Sequence, residues 1–135
     1  MKSLSKLKKE LDKHFSLFIR LRGADDLGLV ECFTCQKIAH YKNAMQNGHF
    51  MSRKFNSTRF DEENCQIQCS GCNIFKFGEQ YKFSKNLDLK YGIGKAQELE
   101  SKSRLTQKFS RADYLEKISY YKKLVENLKS EKQIE

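Results

Sequence analysis

Leu4, Leu7, Leu11, Phe15 and Phe18 recur at steps of three and four, with lysines and other polar residues between them and Gly23 just beyond. That period predicts an amphipathic helix over residues 3–22 that stops at the glycine. From residue 28 the pattern changes. "GLVECFTCQKIAHY" and "NGHFMSR" are short apolar and aromatic runs broken by turn-like pieces, which predicts a β-hairpin or ribbon within residues 28–60. "CSGCN" then opens a helical region over about 73–90, with a break at Gly78 and an end at Gly92. Two further helices are expected near 94–103 and 111–131, the second with Ser110 and Asp113 placed as a capping box. Tyr81 and Phe83 read as core aromatics.

In the last helix Tyr114, Ile118, Tyr121, Val125 and Leu128 alternate steps of four and three. This is a coiled-coil-like seam barely two heptads long, able to pack on its own domain or to build a homodimer, and the dimer is the expectation. Helix, β-ribbon, helices: the order gives a small α+β protein. It divides into an N-terminal helix (1–27), a core (28–92) and C-terminal helices (93–135).

Charge narrows the class of partner. The chain of 135 residues carries 26 basic and 17 acidic side chains, a net +9. A field of that sign concentrates polyanions at the surface. Nucleic acid leads, with an anionic membrane surface as the alternative. No apolar run approaches the ~20 residues of a membrane span, and "MKSLSKLKKELDKHF" has no apolar signal-peptide core. The expected location is the cytoplasm, with no membrane partner. Five cysteines in such a chain argue for metal or reactive thiols over disulfides.

Four of the five fall into two pairs, Cys32 and Cys35 in "CFTC" and Cys69 and Cys72 in "CSGC". Each pair has the spacing of a knuckle that offers two thiolates to one tetrahedral zinc. The spacer from Gln36 to Gln68 is longer than the roughly 15–20 residues of the simplest four-cysteine pattern, and it has room for a hairpin between the knuckles. Cys65, in the alternating "NCQIQC", is expected in the core.

His49 follows a glycine in a strand-like run, Asn64 lies fifteen residues on, and Asn73 abuts Cys72. A histidine on a hairpin before a knuckle that ends in "CxxCN" resembles the HNH, or ββα-metal, nuclease layout, here of an H-N-N variety. The resemblance implies a zinc-stapled β-hairpin and helix as the core, with flanking helices. Its residue types suit phosphodiester hydrolysis. A neutral imidazole accepts a proton from water near neutral pH. A hard divalent ion stabilises charge on the phosphate and the leaving oxygen, and an asparagine carbonyl is a suitable ligand for it.

A closer likeness covers roughly residues 15–100. "FIRLRGAD", "LVECFTC", "NGHFMSRKFNSTRFDEENCQIQCSGCN" and "GEQYKFSKNLDLKYG" are similar to the NinG, or Rap, family of phage recombination proteins. The resemblance implies a phage-encoded endonuclease, acting in the host bacterial cytoplasm on branched DNA such as Holliday junctions and D-loops. Carried over by position, His49 is the general base, Asn64 orients the site, and Asn73 binds a catalytic Mg²⁺ or Mn²⁺. Cys32, Cys35, Cys69 and Cys72 hold a structural Zn²⁺. Many HNH enzymes place an aspartate just before the histidine as a second metal ligand, and here that position is Gly48. Asn47, Asp61, Glu62 and Glu79 remain open for that role, as does a metal resting largely on Asn73, water and DNA phosphate.

Arg53, Lys54 and Arg59 follow the histidine closely and are expected to grip phosphates, contacts that position DNA without reading its bases. Lys76, Lys82, Lys85 and Lys90 add basic character beyond the site. Two competing functions stand beside the branched-DNA endonuclease. One is a non-catalytic zinc-ribbon DNA-binding module, which the Gly48 departure favours. The other is a restriction-type HNH nuclease of linear duplex.

Overall fold

The computed structural model describes all residues 1–135. Helix α1 runs Leu4–Arg22, with the Ser3 hydroxyl accepting from the Lys6 N–H at its start and Gly23 at its end. Strands β1 (Leu29–Glu31) and β2 (Ile38–His40) form an antiparallel hairpin whose turn holds Cys32 and Cys35. Strand β3 (Met45–His49) pairs antiparallel with β4 (Cys65–Cys69), with His49 opposite Cys65 and Met45 opposite Cys69. The β1–β2 pair is a hairpin within the expected 28–60, whereas β3 belongs to a second two-stranded sheet and takes the later "CQIQC" stretch as its partner.

Between β3 and β4 lies the short helix α2, Asn56–Arg59. After β4 comes a π-helical turn over Gly71–Phe75, followed by α3 (Gln80–Tyr91) and α4 (Lys95–Ser103). The expected helix over 73–90 is therefore interrupted, and Gly78 lies at its break with φ 88°. Helix α5 (Arg111–Lys132) opens on the reciprocal Ser110–Asp113 capping box.

One main core joins the three segments distinguished in the sequence. Leu7, Leu11, Phe15 and Phe18 from α1 meet Tyr114, Ile118, Tyr121 and Val125 from α5, and the buried cysteines lie in the same cluster. Phe15 touches Tyr121 edge-on with ring centroids 4.9 Å apart. The α5 seam is thereby filled by α1 of the same chain. It is not available for the expected dimer, because apolar side chains at that spacing bury against the nearest complementary stripe. The Lys132 ammonium locks the pair at its end, donating to the carbonyls of Leu21, Arg22 and Ala24.

A second small cluster of Phe83, Leu87 and Leu99 packs with Phe33 and Phe50 beneath α3 and α4. Phe83 is core, as expected. Tyr81 is not: it is 74 % exposed, because it stands on the face of α3 turned away from that cluster. No helix is long and apolar enough to cross a membrane.

Candidate active site

The two knuckles bring Cys32, Cys35, Cys69 and Cys72 together, with all four sulfurs within 4.8 Å of one another. Cys35 Sγ and Cys69 Sγ are 3.6 Å apart, near the ~3.8 Å edge of a tetrahedron built on 2.3 Å zinc–sulfur bonds and far beyond a disulfide bond. Burial opposes ionisation of Cys32, but the Thr34 hydroxyl and the backbone groups of Cys69, Cys35 and Thr34 outweigh it and bring the thiol down to about 6. Burial drives Cys72 the other way, up to about 12. Thiols this crowded need a compensating cation to ionise together. The donor set could hold a structural zinc. Cys65 stands apart, fully buried, its thiol donating to the Arg59 carbonyl at 3.4 Å.

The end of β3 carries His49 to the wall of a cleft of about 490 Å³, lined also by Asp12, Ser16, Gln46, Asn47, Arg53 and Asn73. The imidazole Nε2 lies 2.9 Å from the Arg59 carbonyl oxygen. A carbonyl only accepts, so Nε2 carries the proton and the Nδ1 lone pair is left free. Burial pulls the His49 pKa down to about 4, against the opposing pull of the Arg59 carbonyl. The ring is neutral at physiological pH and able to take a proton from water.

Asn64 is fully buried and orients the loop that follows His49. Its Oδ1 accepts from the Met51 N–H at 2.9 Å, and its Nδ2 donates to the carbonyls of Met51 and Thr58, each at 3.1 Å. Asn73 sits in the π-helical turn and faces the same cleft as His49. Its Nδ2 donates to Gln46 Oε1 at 2.7 Å, which leaves its own carbonyl oxygen as the free end of the amide.

Of the four residues open as a further metal ligand, Asn47 lines this cleft and carries a buried carbonyl oxygen without a hydrogen-bond partner. Asp61 is engaged by Lys102 at 2.5 Å and by the N–H groups of Glu63 and Asn64. Glu62 accepts from the Tyr121 hydroxyl at 2.9 Å, and Glu79 pairs with Lys82 at 3.6 Å.

The sequence reading missed Asp12, the acidic residue of the cleft. It comes from the polar face of α1, far along the chain from the histidine. No local signal marks it, because only the packing of α1 on β3 brings it there. Asp12, Asn47 and Asn73 thus line one cleft, each with a side-chain oxygen. The structure also accounts for Gly48. A Cβ there would lie 2.1 Å from Gln68 Oε1, and the buried Gln68 amide ties Thr34 Oγ1 to the Gly78 carbonyl, at 3.1 and 2.8 Å.

Among the expected phosphate contacts, Arg53 is exposed at the cleft and Lys54 is exposed beside it, over the Phe55 ring. Arg59 is placed differently. Its guanidinium forks onto the Asp12 carboxylate and donates to the Arg53 carbonyl.

No curated protein and no solved structure matches the chain. A family model described as Bacteriophage Lambda NinG protein matches residues 1–131, from α1 with Asp12 through both knuckles to the end of α5. Spanning the cysteine cluster, the histidine cleft and the helices that support them, that match places the chain in the NinG family.

Proposed function

We propose that this NinG protein is a metal-dependent, structure-specific endonuclease that hydrolyses phosphodiester bonds in branched recombination intermediates such as Holliday junctions and D-loops. One observation carries the reading: burial keeps the His49 ring neutral, the Arg59 carbonyl fixes its proton on Nε2, and its cleft also contains Asp12, Asn47 and Asn73. The order of β3, β4 and a helical turn resembles the ββα-metal arrangement.

In this mechanism His49 Nδ1 takes the proton of the attacking water. The Arg59 carbonyl fixes the ring's tautomer, and Asn64 holds the strand end that carries it. Asp12, Asn73 and Asn47 would hold Mg²⁺ or Mn²⁺, which when bound stabilises charge on the phosphate and the leaving oxygen. Arg53 and Lys54 hold neighbouring phosphates, and Arg59 supports Asp12 from within the protein. The four cysteines would hold a structural zinc, joining the β1–β2 hairpin to the end of β4 outside the chemistry. Phosphate contacts of this kind select a backbone shape over a base sequence.

The test is cleavage of a labelled four-way junction beside a linear duplex of the same sequence, with Mg²⁺, with Mn²⁺ and with no divalent ion added. Metal-dependent cutting of the junction in preference to the duplex supports the reading; equal cutting of both assigns a linear-duplex nuclease. The pairing of Asp12 with Arg59 favours a second reading, a zinc-ribbon DNA-binding module without catalysis. Binding without cutting under every ion would establish it.

A further inference from the structure

The segment after the second knuckle places its apolar side chains outside the fold. Phe75 is 77 % and Phe77 88 % exposed, Ile74 is exposed beside them, and Tyr81 stands on the next helical turn. Apolar side chains are normally driven inward, so two bare phenylalanine rings in one short segment run against the main force that folds the chain. The backbone beneath them is strained as well. Phe77, Gly78 and Glu79 are three consecutive residues with positive φ, at 54°, 88° and 50°, a region that side chains other than glycine rarely adopt.

The segment is nevertheless firmly held. The Gly78 N–H donates to the Cys72 carbonyl at 2.7 Å, the Lys76 N–H to the Gly71 carbonyl at 2.9 Å, and buried Gln68 binds the Gly78 carbonyl. The rings therefore project from a backbone fixed to the four-cysteine cluster. They are also next to the cleft, since Asn73 and Ile74 line it and Phe75 follows directly. The surroundings are net cationic: Lys76, Lys82 and Lys85 are exposed, with Glu79 3.6 Å from Lys82 as the one facing carboxylate, and the Lys85 ammonium lies over the Tyr81 ring at 5.2 Å. Rigid aromatic rings among lysines suit a polyanion that presents flat apolar faces, which is what unstacked nucleotide bases are.

We propose that Phe75 and Phe77 form a wedge that stacks on the unpaired or splayed bases at a DNA branch point, with Lys76, Lys82 and Lys85 holding the phosphates around it. The wedge gives the His49 cleft its preference for branches. In a continuous duplex the bases are stacked on each other and the rings find no partner, whereas at a branch their faces are open. This inference rests on the branched-DNA reading above and extends it from the cleavage site to the element that recognises the substrate.

Binding can be measured by fluorescence anisotropy on a four-way junction and on a linear duplex of the same sequence, with no divalent ion added so that neither is cut. The proteins are wild type, Phe75→Ser/Phe77→Ser, and Leu89→Ser as an exposed apolar control elsewhere on α3. The double variant is expected to lose roughly tenfold to a hundredfold in junction affinity, the range set by base–aromatic stacking. Its duplex affinity and its salt dependence stay unchanged, because phosphate contacts set those, and the Leu89 control behaves as wild type. A wild-type protein without any junction preference removes both this inference and the reading it rests on. A junction preference that survives in the double variant overturns the wedge alone and leaves the endonuclease reading standing. A wild-type dimer that dissociates in the double variant on sedimentation also overturns it, marking the patch as a contact between copies of the chain.

Discussion

His49 and Asp12 are joined through a single residue: the Arg59 carbonyl oxygen lies 2.9 Å from His49 Nε2, and the Arg59 guanidinium forks onto Asp12, with Nε 3.1 Å from Oδ1. The histidine's orientation and the placing of the cleft's carboxylate are thus fixed by the backbone and the side chain of one arginine. Both Asp12 and Arg59 side chains are mostly buried, so the pair is more than a solvated surface contact.

Asp12→Asn keeps the shape of the side chain and removes its charge. We expect weaker Mn²⁺ binding by electron paramagnetic resonance, tenfold or more slower junction cleavage, and a stability loss of about 1–3 kcal/mol in urea from the unpaired guanidinium. If stability alone falls while Mn²⁺ affinity is unchanged, Asp12 only supports the fold.

The thiolate cluster predicts one zinc per chain by elemental analysis. Cys32→Ser and Cys72→Ser should each lose the metal and the cooperative unfolding transition, since both sulfurs lie in the main core. Cys65→Ala should keep the zinc and cost about 1 kcal/mol for a small cavity. Loss of zinc from Cys65→Ala, or its retention in Cys72→Ser, would contradict the assignment.

Gly48→Asp restores the residue that many HNH enzymes place before their histidine, yet here it should be harmful. The new Cβ meets Gln68 Oε1, and the buried Gln68 amide would have to give up Thr34 or Gly78. A loss of about 2–4 kcal/mol in stability is expected, without gain in cleavage. Faster cleavage by a stably folded Gly48→Asp protein would show that the site lacks that ligand.

The depressed His49 pKa gives a pH dependence of definite sign. In the unfolded chain the imidazole takes up its proton near 6.5, whereas in the fold it does so only near 4. Between those values the unfolded state binds more protons, so stability falls as the pH drops from about 6.5 toward 4, by at most about 3 kcal/mol. His49→Gln should lack this part of the slope. Comparing the two proteins by urea titration at pH 7.5 and 5.5 cancels any acid effect on the thiolate cluster. Parallel slopes would show that the ring is not buried neutral.

Much of the fold could be read from local pattern, because the signals were local. Ser3 and Gly23 bound α1, the Ser110–Asp113 box opens α5, and the knuckle spacing brings four sulfurs together. What escaped depends on distant packing. The β1–β2 hairpin lies within the expected 28–60, but the strand that pairs with β3 is separated from it by a loop and a short helix, so that partner carried no local signal. The α5 seam has the same spacing whether it meets α1 or a second copy, and the structure fills it from within. Arg59 reads as one more basic residue until Asp12 arrives from α1. Tyr81 looks like core by residue type, as Phe83 does and is, and only its place on the outer face of α3 leaves it exposed.

Single-turnover cleavage of a bound four-way junction decides whether His49 is the base. Wild type, His49→Gln and His49→Ala would be compared with Mg²⁺ or Mn²⁺, after circular dichroism, zinc content and junction affinity have shown each variant to be folded and bound. Both variants are expected to bind the junction as wild type does and to cut it roughly 10²–10⁴-fold more slowly, the range that a positioned general base contributes. Cutting at the wild-type rate by a folded, bound His49→Ala protein would contradict that role.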